Sequence, residues 1–297
     1  MNLYNGIKAA VKKKTPAFFG VLKKIKKPFQ PLLSWIRFGP LGYETVPIAL
    51  GSVKRKYFPN LPSKYSRVKA LKDIHKGEKM FIVATGPSLT AEDLGKLKGH
   101  LSIGVNSIVL SYDHTDWRPT YYIAVDAAIV PCMKAVKGES YDLWRNMDID
   151  PGHVIVAHYF GNEFDLPDET VLIPCMLSYA KNDGTGNIKF SGDCFRHVYQ
   201  IFTVMYSALQ MAVYMGCSEI YLLGADCSYT GTAEKDHAFN YNSDTKFSAR
   251  QGSEPLIASY KAAKKYADAH GVKIFNSTRG GKLEVFPRVP LEEALKD

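Results

Sequence analysis

Residues 80–89 read MFIVATGPSL, with Thr90-Ala-Glu-Asp directly after them. Five apolar residues running into Thr85-Gly86-Pro87-Ser88 describe a buried strand that ends in a tight turn. Ser88 or Thr90 can cap the helix that opens next. A helix N-terminus at the carboxyl end of a strand offers unpaired N–H groups and a positive dipole end, the chemistry that holds a phosphate. The same residues could also do no more than end the strand. The turn matches neither the GxGxxG pattern nor a Walker loop.

His237 is the second candidate. It lies in a polar, aromatic loop that leaves Asp226 as Cys-Ser-Tyr-Thr-Gly-Thr-Ala-Glu-Lys-Asp-His-Ala-Phe-Asn-Tyr and runs to about residue 254. A loop of that length fits a lid over a bound substrate. An imidazole titrating near neutrality can take a proton from a hydroxyl nucleophile, although an ordinary surface histidine would read the same way. Hydroxyls of Ser228, Tyr229 and Tyr241 could donate to a departing phosphate, and the two tyrosines could instead be apolar lid contacts.

These residues need a frame. Leu101–Asn106, Tyr121–Asp126, His153–His158, Val171–Pro174, Glu219–Asp226 and Val272–Asn276 repeat the design of the first strand. Helices are expected over 90–98, 197–216 and 253–269, with the methionines of the middle one as core filler. Residues 180–196 read as a loop. Alternating strands and helices imply an α/β, Rossmann-like, mostly parallel sheet with helices on both faces. In such sheets ligands sit beyond the carboxyl ends of the strands. Thr85, Ser88, Asn106, Asp126, Asp226, Asn276 and Thr278 all fall there, which points to a nucleotide pocket built from strand ends.

Composition narrows the partners. The chain has 297 residues, is 46% hydrophobic and carries a formal charge of +9. Residues 1–70 hold 15 Lys/Arg against the single acid Glu44, so the rest of the chain is net negative at −5. The basic character therefore belongs to an N-terminal arm and linker (residues 1–75), and residues 76–297 form the catalytic domain. Within residues 1–40, lysine clusters alternate with Phe18, Phe19, Leu22, Phe29 and Trp35. That mixture suits an anionic membrane surface better than nucleic acid. A helix packed on the body with a solvated basic face is the third reading. Prolines break any helix in the arm into short pieces. No apolar run is long enough to span a bilayer, and no signal-peptide h-region is present. Five cysteines without paired spacing read as reduced thiols, placing the chain in the cytoplasm at the inner face of the membrane. No CxxC, HExxH or Cys/His cluster announces a metal.

IVATGPSL, GVN at Asn106, MGCSEIYLLGADCSYTG, DHAF and FNSTRGG occur in an order that resembles the 6-hydroxymethylpterin pyrophosphokinase-like group of Rossmann-like domains. That group includes the motility-associated-factor flagellin glycosyltransferases. The order is also similar to that of the bacterial lipooligosaccharide sialyltransferases, whose nucleotide loop reads GNGPSL. The resemblance spans about residues 78–290. It implies that Thr85, Gly86, Pro87 and Ser88 line a nucleotide site, that Asn106 and Asp126 contact the donor, and that Asp226 leads into the lid. Where the sialyltransferases carry Thr-Ser-Gly, this chain has Thr203-Val204-Met205, so only Thr203 carries over. His237 matches the lid histidine of the flagellin branch.

The expected activity is glycosyl transfer from a nucleotide-sugar donor, with a CMP-linked nonulosonic or related acidic sugar favoured. The acceptor would be a surface glycan, a lipid-linked glycan or a protein, and no cofactor or metal is required. Two alternatives stand beside it. One is a pyrophosphokinase acting on 6-hydroxymethylpterin, with Mg²⁺ held by Asp126 and Asp226. The other is a non-catalytic nucleotide-binding subunit of a glycan-assembly complex. The residues leave the sugar, its linkage and the oligomeric state open.

Overall fold

Short runs of Val, Ile, Leu and Tyr form the strands in a computed structural model that describes residues 45–177, 186–228, 236–239 and 253–296. Strands β1 (Lys79–Val83), β2 (Ser102–Val105), β3 (Tyr121–Ala124), β4 (Val154–Ala157) and β5 (Val171–Ile173) lie side by side in chain order. β6 (Cys175–Leu177) and β7 (Val198–Gln200) pair with each other in a separate parallel ribbon. β8 (Glu219–Leu223) then returns to the free side of β1, and β9 (Lys273–Asn276) adds beyond it. The seven-stranded order is β5-β4-β3-β2-β1-β8-β9, and every neighbouring pair is parallel. The architecture is thus the Rossmann-like α/β sheet that the strand pattern predicts.

Parallel strands covered on both faces have no solvent side, so they read as continuous apolar runs. β2, β3 and β4 are buried at every position. Register aligns Phe81 with Tyr221 and Tyr221 with Phe275, and their rings stack at centroid separations of 5.4 and 5.0 Å across three adjacent strands.

The helices are α1 (Thr45–Tyr57), α2 (Ser66–Ala70), α3 (Ala91–Lys96), α4 (Ile129–Lys137), α5 (Phe160–Glu163), α6 (Val204–Tyr214), α7 (Ser253–Ala269) and α8 (Leu291–Ala294). α6 packs against β1, β2 and β3 and against α7, and its Met205 and Met211, with Met215 just past its end, are buried in the core. Residues 1–47 and 48–297 form separate units. The basic segment 1–40, Tyr229, Tyr241 and most of the lid lie outside the described residues. All five cysteines are buried thiols outside any disulfide.

One expected element divides in two. The run 197–216 is not a single helix, because Val198–Gln200 pairs with Cys175–Leu177 and the helix starts only at Val204. Apolar residues in both elements give one uninterrupted stretch, which periodicity cannot partition. Thr203, extended at φ −145°, caps the helix by accepting from the Met205 N–H at 3.2 Å. Residues 41–75 read from sequence as a linker with short elements, and those described carry the helices α1 and α2, with Ile48 and Val68 buried.

Candidate functional site

The chain leaves β1 for β2 on one side, and leaves β8 for β9 on the other. Loops beyond the carboxyl ends of β1 and β8 therefore diverge and open a crevice at the point where strand order reverses. A cavity of about 400 Å³ occupies it. Its floor is Ala84 to Pro87 after β1 and Gly224 to Ser228 after β8. Val105 and Asn106, Val125 and Asp126, Gln200 to Met205, Asp236 and His237, and Leu256 with Tyr260 of α7 complete the wall.

Glycine permits the closest approach in this wall. The Gly86 N–H donates to the Gly224 carbonyl at 2.9 Å. A Cβ on Gly86 would lie 2.1 Å from Asp226 Oδ2 and 2.4 Å from the Gly224 oxygen. Gly224 itself has φ +63°, and its Cβ would meet the Ala84 carbonyl at 2.8 Å. The two loops are thus held in register by backbone contact that side chains would push apart.

Asp226 is drawn into the turn after β1. It accepts from Ser88 Oγ at 2.8 Å and also from the Ser88 backbone N–H. Burial raises its pKa, and the bonds from Ser88 pull it down only in part. The turn N–H groups of Gly86 and Ser88 are therefore spent on protein acceptors. The first turn of α6 lines the cavity, with Thr203, Val204 and Met205 in the wall. Its dipole end suits an anion.

Asn106 ends β2 in the left-handed region at φ +46°, a conformation that Asn tolerates better than most residues. Its Oδ1 is buried with no hydrogen-bond partner among the described residues, which leaves an acceptor at the cavity wall. Asp126 is exposed at the rim, where Oδ1 accepts from the Ala128 N–H at 3.0 Å. Gln200 Nε2 donates to the Val125 carbonyl at 2.5 Å and so ties the β6–β7 ribbon to the end of β3.

The described lid residues return to the turn after β1. The Ala238 N–H donates to the Thr85 carbonyl at 2.9 Å, and Phe239 stacks on His114 at 5.5 Å. His237 Nδ1 lies 3.4 Å from Thr85 Oγ1, which also accepts from Ser107 Oγ at 3.4 Å. Burial lowers the His237 pKa below 6.5, and the nearby Asp236 opposes that only partly. The imidazole is thus neutral at pH 7. Ser253 Oγ closes the far end of the lid by donating to the Cys227 carbonyl at 2.6 Å.

Of the residues singled out from sequence, Thr85, Gly86, Pro87, Asn106, Asp126, Thr203, Asp226, Ser228 and His237 meet at this cavity. Ser88 stands behind Asp226. Asn276 and Thr278 are buried supports: Thr278 Oγ1 accepts from the Ala225 N–H at 3.0 Å, and Asn276 Nδ2 donates to the Leu283 carbonyl at 2.7 Å. Asp236, Gln200 and, beyond Thr203, the first turn of α6 join the site without having been singled out. Thr203 before an apolar periodic run is the N-cap signal that locates the last of these. Gln200 sits in an apolar run and carried none.

A parallel sheet whose strand order reverses at a crevice defines a Rossmann-like α/β fold. Within that class, a family model described as 6-hydroxymethylpterin diphosphokinase MptE-like matches residues 55–232. The chain belongs to this MptE-like family. No curated protein matches it. It is similar to a solved structure described as the MAf glycosyltransferase from Magnetospirillum magneticum AMB-1, with a TM-score of 0.41 and 14% identity. That likeness covers 77% of this chain and 38% of the other, so the chain spans well under half of that protein's length. No helix among the described residues is long and apolar enough to cross a membrane.

Proposed function

We propose that the chain is a glycosyltransferase that moves a sugar from a nucleotide donor to a hydroxyl of a glycan, lipid-linked glycan or protein. The observation that carries this reading is the neutral, half-buried His237 set on Thr85 at the wall of a strand-end cavity. With Nδ1–H donating to Thr85, Nε2 is the basic nitrogen. It takes the acceptor hydroxyl proton while the acceptor oxygen bonds to the anomeric carbon. The bond from that carbon to the nucleotide phosphate breaks, and its electron pair leaves with the phosphate. The first turn of α6 and Ser228 stabilise the departing anion, because the N–H groups of the turn after β1 are already engaged. Asn106 Oδ1 accepts from the nucleoside. A CMP-linked acidic sugar is the favoured donor and no metal is required, so EDTA should leave turnover intact. Membrane association through residues 1–40 would bring the enzyme to lipid-linked acceptors.

The family description favours one competing reading, pyrophosphoryl transfer from ATP to a hydroxymethylpterin. Asp126 and Asp226 both line the cavity and would be the residues to hold Mg²⁺. A thermal-shift panel with CMP, UDP, GDP and ATP species separates the two. Stabilisation by CMP or a CMP-sugar supports glycosyl transfer. Stabilisation by ATP alone, dependent on Mg²⁺, would replace it with the pterin reading. Nucleotide binding without donor turnover for any acceptor would leave a non-catalytic subunit.

A further inference from the structure

The large hydrophobic residues exposed on the described surface are Leu50, Val53, Tyr57, Phe58, Leu61 and Ile74. All six fall within 25 consecutive residues of a chain whose other described surfaces keep such side chains covered. Scattered exposed hydrophobics need no explanation, but five of these, Leu50 to Leu61, fall on one helix and the turn that follows it.

Helix periodicity sorts α1 into two faces. At about 100° per residue, Ile48, Ser52 and Arg55 share one stripe, and Leu50, Val53 and Tyr57 lie roughly opposite. The first stripe is anchored to the body. Ile48, Ser52 and Arg55 are buried, Ser52 Oγ meets His197 Nδ1 at 2.9 Å, and Arg55 Nη2 donates to the Arg196 carbonyl at 2.5 Å. The second stripe faces outward by construction, with Leu50, Val53 and Tyr57 each more than half exposed. The chain then continues the apolar surface. The Phe58 N–H donates to the Lys54 carbonyl at 2.8 Å, and the Leu61 N–H to the Phe58 carbonyl at 3.2 Å.

Charge selects the occupant. Lys54, Lys56, Lys64, Arg67, Lys69 and Lys72 are exposed on this helix and the segment that follows it, and Asp73 is the single acid of residues 48–77. Lys69 Nζ donates to Asn60 Oδ1 at 2.8 Å, which places basic α2 beside the 58–61 turn. Aromatic and aliphatic side chains set among lysines on one anchored helix match an anionic lipid surface, where the rings enter the interface and the ammonium groups meet headgroup phosphates. A protein partner would favour fewer lysines at the centre of such a patch.

We propose that the outer face of α1 and the turn through Leu61 form a membrane-docking surface for anionic lipid. This surface belongs to the folded body, distinct from residues 1–40, and its role does not depend on the reaction assigned above. The test is co-sedimentation of the full chain with vesicles of phosphatidylcholine alone and of phosphatidylcholine mixed with phosphatidylserine, at low and high salt. A V53S/Y57S/F58S variant should lose at least about tenfold in partitioning onto the anionic vesicles. A K54E/K56E variant should lose about tenfold at low salt and less at high salt. Both variants should keep the parent's thermal unfolding midpoint, since every altered side chain is exposed. Pelleting equal to that of the parent would overturn the proposal and leave membrane contact to residues 1–40. A change of sedimentation coefficient without lipid would also overturn it, by showing that the face joins copies of the chain.

Discussion

Under the proposed reading, His237 is a base that burial prepares. Desolvation disfavours the imidazolium, and its neighbour Asp236 recovers only part of that loss, so the ring stays neutral above a pKa that is itself below 6.5. The acid limb of the pH–rate profile should therefore have its midpoint below pH 6.5, with full activity at pH 7. A limb centred above 6.5 would remove His237 as the base. Replacing His237 by Ala should lower turnover by about 10²- to 10⁴-fold while nucleotide affinity changes little. Full activity in that variant would refute the role. Asp93 shows the same logic in a structural setting. Burial would raise its pKa, but hydrogen bonds from Arg279 and Thr90 outweigh burial and hold the carboxylate below its usual range. Arg279 donates to Asp93 at 2.6 and 2.5 Å and reaches the Ser88 carbonyl at 2.8 Å, so this pair pins the turn after β1. Asp93→Asn should cost about 1–3 kcal/mol in urea unfolding, since it leaves polar groups poorly paired.

At the scale of elements, the site depends on how closely two loops approach. Gly86→Ala places a methyl against Asp226 and the Gly224 carbonyl, so it should destabilise the fold by about 1–3 kcal/mol and weaken nucleotide binding as the loops separate. Unchanged stability in that variant would show that the loops are not locked by this contact. The parallel strands were legible because a strand buried on both faces is largely apolar, and β2, β3 and β8 end within three residues of the polar Asn106, Asp126 and Asp226. Helix α7 was legible from its one-sided periodicity, and its bounds of 253–269 match. The β7–α6 boundary was not, because Val198 to Tyr214 is apolar in both conformations and only long-range pairing with β6 decides between them. The role of Ser88 was likewise hidden. Its hydroxyl suits a phosphate or a carboxylate equally, and the partner it finds is Asp226, 138 residues away.

Across the whole molecule, two histidines, the buried His158 and the half-buried His197, tie stability to pH. Burial lowers both His158 and His197 from 6.5 to about 4. Both are neutral in the folded and unfolded chain above about pH 6.5, so stability is fully present there. Below that, the unfolded chain takes up protons that the folded chain refuses, and stability falls progressively towards pH 4. Each histidine contributes at most about 3 kcal/mol to that loss. The unfolding midpoint should drop steeply between pH 6.5 and 4, and a flat profile would mean that water reaches these rings. The central claim is that one cavity, at the reversal of strand order, takes a nucleotide. Hydrogen exchange with and without the nucleotide that gives the largest thermal shift tests it directly. Protection should appear together at residues 84–87, 105–106, 125–126, 200–205 and 224–228. Protection confined to other segments, or none with any nucleotide at saturation, would contradict it.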